Sequence, residues 1–199
     1  MMRGHGAGFT LVELLVVIAV AAILLVIGVP GFRDFILMQR LKGINAQLVT
    51  DLQFARSEAS ARGQYARVAF NSNAAMTCYT IYTTSNDAAD FTRCDCLAGA
   101  GNACSGIRTE VRTVQVPISD GVRMDVVLDA QNTELAFAFD HVNGRIASIP
   151  VDDDPRALAA FRVRTAIDAN RTLQTEVGQA GRVSVCATAS PTVGAPPCP

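Results

Sequence analysis

A single carboxylate, Glu13, opens an apolar run that carries no further charge as far as Val29. A charge inside such a segment costs about 2.5–3.5 kcal/mol on insertion scales, so this residue calls for a cationic partner. Six cysteines, Cys78, Cys94, Cys96, Cys104, Cys186 and Cys198, all lie in the later part of the chain. An even set suits disulfides or a four-thiolate zinc site. Cys94-Asp95-Cys96 lacks the two-residue spacer of a zinc knuckle, so no metal is expected. His141 sits beside an Asn-Gly turn, and no serine lies in a nucleophile-elbow sequence. Asp152-Asp153-Asp154 lacks the ligand spacing of a calcium loop. No phosphate-binding glycine loop is present. These residues form no catalytic constellation, and neither enzyme activity nor a cofactor is expected.

Arginines make the remaining cluster. Arg156, Arg162, Arg164, Arg171 and Arg182 face only Asp168 and Glu176 within 156–182. They can meet phosphates without regard to base sequence, in a salt-sensitive way. Alternating along strands, they can equally form a solvated sheet face. Phe161 is the one aromatic in that segment on which a base could stack. The formal net charge of −1 is not the basic balance of a nucleic-acid-binding body.

The elements that must position these groups follow from periodicity. The apolar run predicts a helix buried all round, and its length approaches the roughly 20 residues of a membrane span. Gly28, Pro30 and Gly31 interrupt the helical pattern, and Gly28 and Pro30 predict a local break or kink. Beyond them Leu37, Leu41, Ile44, Leu48, Leu52, Ala55 and Ala59 step by three and four, drawing an apolar stripe along an amphipathic helix. Arg40, Lys42, Asn45, Gln47, Asp51, Gln53, Arg56 and Arg62 are assigned to its other faces, and Gly63 to its stop. Strands are predicted at 67–70, 78–83, 109–116, 122–128, 135–139, 159–165, 171–177 and 182–187. Asn143-Gly144 signals a hairpin joining 135–139 to 145–149. Loops are expected at 87–106 and 151–156. The fold class is α+β: a long N-terminal helix packed on one or two mostly antiparallel sheets. The organisation reads as 1–8, a leader; 9–30, a transmembrane helix; 31–63, an amphipathic helix; and 64–199, a β-rich head.

An ordinary secretory signal would be cut near Ala19-Val20-Ala21 and would strand Glu13 in its apolar region. A plain anchor accounts for the run but not for Glu13. The junction Gly8-Phe9-Thr10-Leu11-Val12-Glu13 instead resembles the leader junction of type IV pilins and pseudopilins. That resemblance implies cleavage after Gly8 by a prepilin peptidase and N-methylation of Phe9. It also implies pairing of Glu13 with the Phe9 amine of a neighbouring subunit. Three later segments resemble the GspH/FimT group: Leu52-Gln-Phe-Ala-Arg-Ser-Glu-Ala59, Phe137-Ala-Phe-Asp-His-Val-Asn-Gly-Arg145 and Gly181-Arg182-Val183-Ser184-Val185-Cys186. The group contains minor pilins of the FimT and FimU types and the minor pseudopilin GspH.

The resemblance sets further expectations. The head would face the periplasm from a single-pass anchor in inner-membrane lipid, then enter a filament with other major and minor pilins, at or near the tip. An oxidising compartment favours disulfides. Cys186 with Cys198 would clip the Pro-rich tail to the last strand, as in many pilins. The other four cysteines can pair in three ways. Cys94 and Cys96 are poor partners for each other, which leaves Cys78 and Cys104 to take one each. Minor type IV pilin is the leading function, with a type II secretion pseudopilin as the alternative. A third reading is DNA capture, as some FimT-type pilins do through a Gly-Arg-x-Arg motif. Arg162, Arg164, Arg171 and Arg182 would carry it here, although Ser184 stands where the second arginine belongs.

Overall fold

The computed structural model describes residues 10–84, 92–129, 133–149, 158–188 and 194–198, without the side chains of 27–30. The predicted leader with Gly8 and Phe9 and the Asp152-Asp153-Asp154 run lie outside this description, as do the side chains at the predicted break, Gly28 and Pro30. Helix α1 spans Leu11–Arg62. The chain divides into two compact units, Met1–Leu37 and Met38–Pro199.

In the first unit, Thr10 starts the helix. Its hydroxyl accepts the Glu13 amide at 3.2 Å, and its carbonyl accepts the Leu14 amide at 3.2 Å. Thr-x-x-Glu is a capping-box pattern, and an acid in the first turn also suits the helix dipole. The apolar side chains from Leu11 to Val26 are all exposed. Among the described residues no single helix is long and apolar enough to cross a membrane, but Leu11–Val26 and Gly31–Arg62 taken together are, by length and composition.

In the second unit, α1 ends where the sequence places its stop. Gly63 has φ +63°, and the Gln64 amide reaches the Ala59 carbonyl at 3.3 Å, which closes a Schellman cap. Nine strands follow among the described residues: β1 (Ala66–Ser72), β2 (Met76–Thr84), β3 (Arg108–Pro117), β4 (Arg123–Val126), β5 (Ala136–Phe139), β6 (Ile146–Ser148), β7 (Ala160–Ala166), β8 (Thr172–Gly178) and β9 (Val183–Ala187). They form two antiparallel sheets, ordered β3-β2-β1-β5-β6 and β4-β7-β8-β9. The Ile146 amide donates to the Gln179 carbonyl at 3.1 Å, and the Met124 amide to the Thr77 hydroxyl at 3.1 Å. The two sheets are thereby joined through β6 and through β4.

The helical stripe lies where the periodicity puts it. Leu48, Leu52, Ala55 and Ala59 are fully buried in one core with Val68, Ile81, Phe137, Phe139, Phe161 and Val177. The assignment of Asn45 and Asp51 to polar faces is corrected: both are buried, at 4 % and 2 % exposure. Each has a partner on a different sheet. Asp51 accepts from the Tyr79 hydroxyl on β2, and Asn45 from the Thr175 hydroxyl on β8. A buried polar group persists only with such a partner.

β1, β2 and β5 are buried almost continuously instead of alternately. The outer face of their sheet is covered as well: Ala69, Tyr82, Ala136 and Ala138 pack with Cys94, Cys104 and Ile149. The β5–β6 hairpin forms, but not around a two-residue turn. Among the described residues no non-glycine residue has positive φ, which a type I′ turn would need at Asn143. Instead Asp140 and Arg145 close a four-residue loop. The Asp140 carboxylate accepts the Val142 amide, and the Asn143 side chain accepts the Arg145 amide.

Candidate functional sites: the Thr10–Glu13 turn and an arginine–glycine junction

Glu13 sits exposed in the first turn of α1, its own amide held by Thr10. The Glu13 side chain is exposed there, as are its apolar neighbours.

The six cysteines form three disulfides, Cys78–Cys96, Cys94–Cys104 and Cys186–Cys198. The first two clip 92–107 against the outer face of the first sheet. Inside that loop the Glu110 carboxylate accepts the Gly101 and Ala103 amides and the Thr113 hydroxyl. Partial burial raises its pKa, but these three donors outweigh that and hold it below the usual carboxylate value. The third disulfide lays the tail beside β9. The Ala187 amide donates to Pro196, the Cys198 amide returns to Ala187, and Ala187 bridges Pro197 in parallel. Pro196 and Pro197 have no N–H to offer, so the tail blunts this sheet edge.

The arginines of the later strands are arranged as an outer sheet face. Arg162 lies opposite Glu176 in register, donates to it at 2.8 Å, and also reaches Asp129 at 3.0 Å. The Glu176 hydrogen bond and the attraction of both acids push its pKa up against partial burial. Arg171 grips Asp168 at 2.6 Å and holds that carboxyl below its ordinary range. Arg164 is exposed between Asp125 and Gln174 in register. Arg182 lies apart from these three, beyond the far end of β8. Phe161 is fully buried, 4.5 Å from the Phe137 ring, and offers no face to a base. His141 is half-buried, edge-on to Tyr65 at 5.4 Å.

The three head motifs converge on one point. Arg56 of α1 donates to the Gly181 carbonyl at 3.4 Å. Gly144, at φ +65°, leaves room for that guanidinium: a Cβ there would lie 2.6 Å from Arg56 Nε. Gly181, at φ +73°, admits the Gly144 carbonyl, which a Cβ would approach to 2.0 Å. The β5–β6 and β8–β9 turns therefore touch through two glycines, with Arg56 wedged against both. Beside them lies a groove of about 560 Å³ lined by Gln53, Arg56, Ser57, Ser60, Gly181, Arg182 and Val183.

A helix with an apolar, acid-bearing start, followed by an amphipathic half docked on antiparallel sheets, defines the pilin-like class. Residues 4–29 match the prokaryotic N-terminal methylation motif, and residues 45–193 match the family described as type II transport protein GspH. The second match takes in most of the chain, and the protein belongs to that family. No curated protein and no solved structure gives a significant match. The chain is thus a pilin or pseudopilin of the GspH/FimT type, a structural class of protein. The motif implies processing by a prepilin peptidase, an inner-membrane anchor and assembly with other pilins.

Proposed function

We propose that this protein is a minor type IV pilin, cut after Gly8, methylated at Phe9, and built into or priming a pilus at or near its tip. The observation that carries the reading is the Thr10–Glu13 turn. An exposed carboxylate in the first turn of an apolar helix is available to the freed amine of an adjoining Phe9. Pairing removes the cost of leaving that charge alone in an apolar filament core. Gly28 and Pro30 supply a place where the helix can bend as subunits pack.

Mass spectrometry of the membrane-extracted chain tests the processing step, with a methylated Phe9 at the N-terminus as the expected result. Any other N-terminus removes the proposal. Glu13→Ala should be processed normally yet leave few surface pili in electron micrographs, and unchanged piliation would remove Glu13 from assembly.

The second reading is a minor pseudopilin of a type II secretion system, favoured by the GspH match over 45–193. In that case deletion leaves piliation intact and stops export of secreted enzymes.

A further inference from the structure

Among the described residues, six arginines of the second unit have an acidic partner. Arg40 pairs with Asp120, Arg62 with Glu58, Arg93 with Glu134, Arg112 with Asp51, Arg162 with Asp129 and Glu176, and Arg171 with Asp168. Arg56 and Arg182, like the exposed Arg164, have no carboxylate within ion-pair distance among the described residues. Both line the 560 Å³ groove beside the glycine junction, and no acidic residue lines it with them. Its other polar walls are the Gln53 amide and the Ser57 and Ser60 hydroxyls. The Ser57 hydroxyl already donates to the Phe54 carbonyl, so the groove presents two guanidinium groups, the Gln53 amide and the Ser60 hydroxyl as donors, and no negative charge.

Arg56 is also positioned. The turns at Gly144 and Gly181 confine its guanidinium, and among the described residues its one hydrogen bond is the long one to the Gly181 carbonyl. A planar donor fork held in place with most of its N–H groups unspent suits a carboxylate, which it can grip through two bonds.

We propose that this groove docks an acidic peptide segment of a partner protein, with Arg56 and Arg182 clamping one or two carboxylates. Peptide is favoured over nucleic acid because no aromatic side chain lines the groove, so a base has nothing to stack on. Gln53 and Ser60 instead offer hydrogen bonds that a peptide backbone can use. The site goes beyond filament membership and does not depend on it, since a chain never assembled would still bind the peptide.

The test uses the full chain in nonionic detergent and a fluorescein-labelled hexaglutamate peptide, followed by anisotropy at low and moderate salt. Saturable binding that weakens with salt is expected, because exposed charges are screened beyond about 10 Å at 0.1 M. Arg182→Gln should weaken it about tenfold, and Arg164→Gln, on the outer sheet face, by less than about twofold. Ser60→Asp, which puts a carboxylate into the groove without touching the glycine junction, should abolish it. Arg56→Gln should do the same, but it also disturbs the junction, so Arg182 and Ser60 decide the matter. Absence of binding, or equal losses for Arg182→Gln and Arg164→Gln, overturns the proposal. Tighter, Arg182-dependent binding of a labelled single-stranded oligonucleotide overturns it too, and assigns the groove to nucleic acid.

Discussion

Asp51 Oδ2 accepts a 2.6 Å hydrogen bond from the Tyr79 hydroxyl and also lies 3.0 Å from Arg112 Nε. The carboxylate and the tyrosine are both buried, whereas Arg112 is about half-exposed. Burial and the bond to Asp51 drive the Tyr79 hydroxyl far above its ordinary pKa, with Arg112 opposing weakly, so it stays a neutral donor. This contact ties α1 to the first sheet as Asn45 and Thr175 tie it to the second.

The two partners of Asp51 should therefore matter unequally. Tyr79→Phe strips a buried carboxylate of its neutral donor and should cost about 1–3 kcal/mol. Arg112→Gln removes a partly solvated charge and should cost under about 1 kcal/mol. Urea unfolding of the full chain in micelles measures both, and a reversed ranking would show that the ion pair dominates.

Two glycines with similar φ should respond very differently to alanine. Gly181→Ala drives a methyl into the Gly144 carbonyl and should cost more than about 3 kcal/mol, since backbone has nowhere to go. Gly101, at φ +82°, faces open space, so Gly101→Ala should cost only the left-handed strain of about 1–2 kcal/mol. Equal melting temperatures for the two variants would refute the junction.

Acid should loosen the disulfide-clipped loop. The folded pKa of Glu110 is depressed, so its contribution is complete above the unfolded value, near 4.5, and is lost as pH falls through the folded value. Amide exchange at Gly101 and Ala103, corrected for intrinsic rates, should speed up as the pH drops below about 4.5. Glu110→Gln should be fast at every pH and show no such transition. Persistence of the transition in that variant would assign it to another group.

Removing the tail disulfide with the Cys186→Ser, Cys198→Ser pair should cost about 2–3 kcal/mol, the chain-entropy scale for a short loop. Exchange at the Ala187 amide should rise with it, because that amide bonds only to Pro196 in the tail. Protection unchanged from wild type would mean that tail packing at Ala195 suffices without the covalent link.

Much of this architecture is written in local pattern. A period near 3.6 marks the buried stripe of α1, because a helix returns to the same face every three or four residues. Gly63 ends it because a left-handed cap tolerates no Cβ there. Strand positions were legible from β-branched and aromatic runs, and the methylation motif from Gly8, Phe9 and Glu13 in their apolar setting.

What sequence could not carry is contact between distant segments. Periodicity sorts Asn45 and Asp51 by type, as polar, and only the approach of both sheets to one helix decides that they are buried and paired. The strands β1 and β2 have burial on two faces because a disulfide loop covers the second, which no local alternation encodes. Arg56, Gly144 and Gly181 are separated by long stretches of chain, and their meeting depends on how two turns close over a helix. Local rules act through neighbouring dihedrals, whereas partners and clefts arise from packing, and so the groove at Arg182 exists only in the folded head.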